Sequence, residues 1–196
     1  MSRYIRYLTH PQVHVDPQRP VPQWSLSAAG RARAIALADS NALLPTEFIY
    51  TSDENKALET AGILAEACFA KVMIRAKMGE NDRSATGFLP EDDFEAHADA
   101  FFAAPTDSIN GWETAQAAQD RIVAAVTAAI KEAPLGNLLF IGHGAVGTLL
   151  YCAFGGLDID RTYDQGAAGG GNYVTFDSET LKPQHLWRPM EALYQG

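Results

Sequence analysis

Short strand-like runs alternate with longer segments of helical periodicity along almost the whole chain, and this alternation narrows the fold more than any other feature. Strands are expected at 3–9, 46–51, 71–76, 136–142, 171–177 and 183–188. Helices are expected at 26–40, with Ser27 as N-cap, and at 52–69, with acidic residues in its first turn. Further helices are expected at 91–104 and 111–133, and another starts at 144, directly after a strand. The order β-α-β-α-β-αα-β-α-β-β predicts an α/β three-layer sandwich around a mainly parallel central sheet. The last two strands lie too close in sequence for a crossover helix, so an antiparallel pairing at one edge is expected. The 196 residues suit one domain over 1–196, long enough to bury a core without disulfides or a metal.

In sheets of this kind, ligands sit beyond the carboxyl ends of the strands. His10 follows the first strand, and Thr51 and Ser52 follow the second. Glu80 lies a few residues past the third, and His143 ends the fourth. Four polar groups from distant parts of the chain therefore converge on one rim. The loops at 10–25 and 77–90 are long, and loops of that length inside a compact domain are often functional.

The strand-end residues fall into an ordered set of motifs: "LTHP" (8–11), "LSAAGRARA" (26–34), "TSDENKALETA" (51–61), "GENDRSATGFL" (79–89), "LFIGHGAVGTLL" (139–150) and "GGGNYVTF" (169–176). In order and spacing this set resembles the histidine phosphatase superfamily, whose fold is phosphoglycerate mutase-like. The resemblance implies a metal-independent phosphomonoesterase acting on a small phosphorylated metabolite, with no cofactor. It makes His10 the nucleophile that forms a phosphohistidine, His143 a catalytic phosphate ligand, and Glu80 the general acid, with Asp82 second for that role. Phosphate contacts are expected from Thr9, Ser52, Lys56, Arg83 and the Gly144 helix start.

Two positions depart from the family pattern. The arginine before the nucleophile is Thr9, and the arginine of the second signature is Lys56. Threonine carries no charge, and lysine lacks the planar bidentate fork. Losing one such electrostatic donor costs about 3–4 kcal/mol of transition-state stabilisation, roughly a hundred- to a thousand-fold in rate. Arg83 is a candidate replacement. Asp16 stands where the family often has a pocket asparagine. The alternative reading is a relative that binds a phospho-ligand or a protein partner without turnover.

Composition sets the remaining bounds. A net charge of −9 argues against general nucleic-acid binding. No segment approaches the ~20 apolar residues of a membrane helix, and the start of the chain has no apolar signal core. Cys68 and Cys152 read as buried free thiols in a reducing compartment. A cytoplasmic protein is expected, with a homodimer as the default assembly. The glycine run at 166–171 lacks a phosphate-loop lysine and is read as a flexible turn. His14, His97 and His185 are expected to be ordinary core or surface residues, and Trp24, Trp112 and Trp187 packing residues.

Overall fold

A computed structural model of the chain describes residues 3–133, 136–166 and 169–195. Six strands form one sheet: β1 Ile5–Thr9, β2 Phe48–Thr51, β3 Lys71–Ile74, β4 Leu138–Gly142, β5 Asn172–Phe176 and β6 Arg188–Pro189. Their spatial order is β3-β2-β4-β1-β5-β6. The first four run parallel, β5 pairs antiparallel with β1, and β6 pairs antiparallel with β5. The antiparallel side of the sheet is thus where the short final connection required it. The last strand is shorter and later than the expected 183–188, because Pro183 contributes only an isolated bridge to Phe176.

Among the described residues, five α-helices pack on the two faces: α1 Ala28–Asp39, α2 Asn55–Cys68, α3 Glu91–Ala103, α4 Ala115–Glu132 and α5 Gly144–Gly155. Strand alternation divides the core between them. Ile5, Tyr7, Leu138 and Phe140 point into one layer with Phe101 of α3, Ile122 of α4 and Leu149 of α5. Leu8, Ile49, Leu139 and Ile141 point into the other with Leu37 of α1 and Leu64 of α2. Central β4 is buried at every position, as expected of a strand covered on both faces, whereas edge strand β3 leaves Ile74 exposed. Cys152 is buried and Cys68 only half-buried; both are free thiols.

Ser27 caps α1 by accepting from the Gly30 N–H at 3.1 Å. The start of α2 differs from expectation: Asn55 is its first residue and Glu54 its N-cap, so no acidic side chain lies in its first turn. Among the described residues, no helix is long and apolar enough to cross a membrane. The glycine run continues from Gly169, with Ala167 and Ala168 outside the described residues. Gly170 (φ 84°) closely approaches the end of β1, and a side chain there would meet the His10 carbonyl oxygen at 2.1 Å. Arg33 of α1 donates to the Gly170 and Gly171 carbonyls and forms a bidentate pair with Glu191.

Candidate active site

The parallel strands β1, β2 and β4 end side by side, and their carboxyl ends carry the site. His10 follows β1, its backbone N–H donating to Gly142 O at 2.9 Å and its carbonyl accepting from Gly171 N at 3.0 Å. The ring Nδ1 lies 2.9 Å from Pro11 O. A carbonyl oxygen can only accept, so Nδ1 carries the hydrogen and Nε2 carries the lone pair. Burial pulls the His10 pKa from 6.5 to about 4, which keeps the ring neutral near pH 7. Nε2 has no hydrogen-bond partner among the described residues.

His143 follows β4 and is fully buried, its ring centroid 5.2 Å from that of His10. The Tyr7 hydroxyl accepts from the His143 N–H at 3.0 Å and donates to the His143 carbonyl at 3.3 Å. Tyr7 can approach because residue 142 is glycine; a Cβ there would meet the hydroxyl at 2.0 Å. His143 Nε2 lies 2.8 Å from Ser52 Oγ, and Nδ1 is buried without a partner among the described residues. Burial lowers the pKa of this ring to about 3, so it too is neutral near pH 7.

Glu80 sits at the amino end of α5. One carboxyl oxygen accepts from Val146 N at 3.0 Å, and the other from Ala145 N at 3.2 Å. Burial pushes its pKa up, against the opposing pull of Arg83. Arg121 fixes the loop that carries it, donating to the carbonyls of Lys77, Gly79 and Glu80 and pairing with Glu113. Asp82 is the weaker acid candidate, since it is exposed and hydrogen bonds from Ser84 lower its pKa. Of the α5 helix start that was expected to offer N–H groups to a phosphate, Ala145 and Val146 donate to Glu80 instead, and the Gln165 amide packs over Gly144.

The expected anion ligands are engaged in ways the motifs do not reveal. The Thr9 hydroxyl donates to Gln165 Oε1 at 2.6 Å and accepts from Asn172 N at 3.0 Å. The Lys56 ammonium is buried, donating to Val21 O at 2.9 Å and pairing with Glu54. Glu54 also accepts from Glu80 N at 2.7 Å, and its Oε1 lies 3.5 Å from His143 Nε2. Burial acts to raise the Glu54 pKa, but His143 and Lys56 hold it down at about 2. Because the His143 ring is neutral near pH 7, Lys56 is the charge that keeps Glu54 ionised. The Arg83 guanidinium stacks 4.8 Å over the Phe94 ring on the cleft wall. Asp16 serves its own loop, pairing with Arg19 and accepting from Gln18 N.

A cleft of about 720 Å³ opens beside this cluster, lined by Arg19, Val21, Glu54, Glu80, Asn81 and Arg83 among others. An apolar extension of about 410 Å³ shares Val21, Arg83 and Phe88 with it and adds Val15, Trp24 and Phe94. The structure therefore brings together His10, His143, Ser52, Glu80 and Lys56, with Arg83 on the wall. Sequence reasoning missed Glu54 and Gln165. The acidic pair Asp53-Glu54 between Ser52 and Lys56 was the one available signal, and it did not single out Glu54; Gln165 gave none. Among the described residues, no cluster of histidine, cysteine or acidic side chains could hold a metal ion.

The chain and its fold have counterparts in known proteins. The family model "Histidine phosphatase superfamily (branch 1)" matches residues 12–182. Three solved structures share the fold at low identity. Mycobacterial glucosyl-3-phosphoglycerate phosphatase in complex with VO3 is 20% identical with a TM-score of 0.78, covering 96% of this chain and 100% of that one. Bacillus stearothermophilus YhfR is 20% identical with a TM-score of 0.78, covering 94% and 95% of the two chains. The alpha-ribazole phosphatase from Shigella flexneri is 16% identical with a TM-score of 0.74, covering 95% and 96%. A comparison with curated proteins finds no match. The matched span covers most of the chain, and on this ground the chain belongs to the histidine phosphatase superfamily, branch 1.

Proposed function

We infer that this chain is a metal-independent phosphomonoesterase that acts on a small phosphorylated molecule through a phosphohistidine. The observation that carries the reading is the state of His10: neutral, with its Nδ1–H tied to Pro11 O, so that the lone pair lies on Nε2. In the first step, Nε2 attacks phosphorus and the bond from phosphorus to the ester oxygen breaks. The leaving oxygen takes a proton from the Glu80 carboxyl, whose pKa burial pushes up. In the second step, water attacks the phosphohistidine and gives its proton to the Glu80 carboxylate. The P–N bond breaks, inorganic phosphate leaves, and both groups return to their starting states. Ser52 and His143 donate to phosphoryl oxygens, with Arg83 as the nearby charge. The apolar extension past Arg83 suits a leaving group with little polar surface.

A second reading, a relative that binds without turnover, is favoured by one observation: Lys56 and the α5 amides already hold carboxylates. The deciding experiment follows hydrolysis of an aryl phosphate in excess chelator by the native protein and by His10→Ala. Slow, chelator-resistant turnover that vanishes in the variant is the expected result. Equal rates from the two proteins, or none from either, would sink the phosphohistidine reading.

A further inference from the structure

Glu54 sits where the chain's anion-holding groups converge. Its carboxylate is paired with Lys56, accepts from Glu80 N at 2.7 Å, and lies 3.5 Å from His143 Nε2. Cation, backbone donor and imidazole are the partners that a phosphoryl oxygen would seek. The same carboxylate lines the open cleft, whereas His10 and His143 do not. Both members of the pair are nearly buried, with side-chain exposures of 4% for Lys56 and 8% for Glu54. Their charges cancel in a low-dielectric setting, so the Lys56 charge attracts no incoming anion until Glu54 lets go. His143 Nδ1 is buried without a hydrogen-bond partner among the described residues.

We propose that Glu54 is a specificity-determining residue, a resident carboxylate that a phosphoryl dianion must displace from Lys56 to enter the site. The inference rests on reading this cleft as a phosphoryl site. It makes the pocket discriminate by charge: a dianion meets a fixed like charge, and affinity for simple phosphate is low. Glu54→Gln keeps the shape and removes the charge. Glu54→Asp keeps the charge and shortens its reach to Lys56, and serves if the glutamine variant folds poorly.

The experiment measures binding of inorganic phosphate and of orthovanadate at fixed pH, by thermal shift and by inhibition of aryl phosphate hydrolysis. Glu54→Gln is expected to bind both anions at least tenfold more tightly than native protein, with KM falling more than kcat changes. Glu54→Asp is expected to show a smaller gain in the same direction. A folded variant of either kind that binds phosphate no more tightly than native protein overturns the proposal. The two readings fail separately. Tighter binding with no hydrolysis by any protein keeps the role of Glu54 and removes the phosphatase; hydrolysis with unchanged phosphate affinity does the reverse.

Discussion

His143 makes the stability of the protein depend on pH in a way that can be worked out beforehand. Its ring is fully buried, and burial lowers its pKa from 6.5 to about 3. Between these values the unfolded chain binds a proton at this position and the folded chain does not. Stability is therefore fully present above pH 6.5 and falls as the pH drops through the window toward 3. From 6.5 down to pH 5 is about 1.5 units, and at about 1.4 kcal/mol per unit the loss is roughly 2 kcal/mol. His10 shifts in the same direction but is common to native protein and a His143→Asn variant, so it drops out of the difference. Urea unfolding of both proteins at pH 7, 6 and 5 is the assay. Native protein is expected to lose about 2 kcal/mol more than the variant between pH 7 and pH 5. Parallel losses in the two proteins would refute the burial of a neutral imidazole at this position.

Two further outcomes follow from the site. Glu80→Gln removes the proposed proton donor and is expected to lower kcat for an alkyl phosphate by roughly 10²–10⁴, with a smaller loss for aryl phosphates that leave as weak bases; equal losses on both would count against an acid role. Lys56→Met strands the buried Glu54 carboxylate and is expected to cost about 3–5 kcal/mol in urea unfolding at pH 7, while a cost under about 1 kcal/mol would show that Glu54 swings out to water.

His10, Ser52, Glu80 and His143 were legible because strand ends in a parallel sheet fall on one rim whatever the side chains between them do. The helices were legible too: Ser27 marks the start of α1, and the 111–133 expectation encloses Ala115–Glu132. What escaped was the state of each group. Lys56 reads as a phosphate ligand or a surface lysine, yet it is buried, with Val21, 35 residues away, and the capping residue Glu54 as its partners. Thr9 reads as a weakened phosphate ligand, yet its hydroxyl is used by Gln165 and Asn172, more than 150 residues on. Such pairings depend on side-chain rotamers and loop packing, which no spacing rule encodes. Glu54 was placed in a helix first turn because acidic residues favour that position, but the helix starts three residues later than expected, which puts Glu54 at the cap, free to turn into the site.

The contact between Arg33 and Glu191 reaches further than a latch between α1 and the final segment. Arg33 holds the carbonyls of Gly170 and Gly171, Gly171 N donates to His10 O, and Met190 N donates to Gly171 O. The backbone of the candidate nucleophile is thus secured by residues 180 positions downstream. Proteolytic nicking near Pro189, or a fusion partner that pries the 190–195 segment away, would be felt first at His10. An assay of such a derivative would report a damaged catalyst even though every residue of the rim is intact.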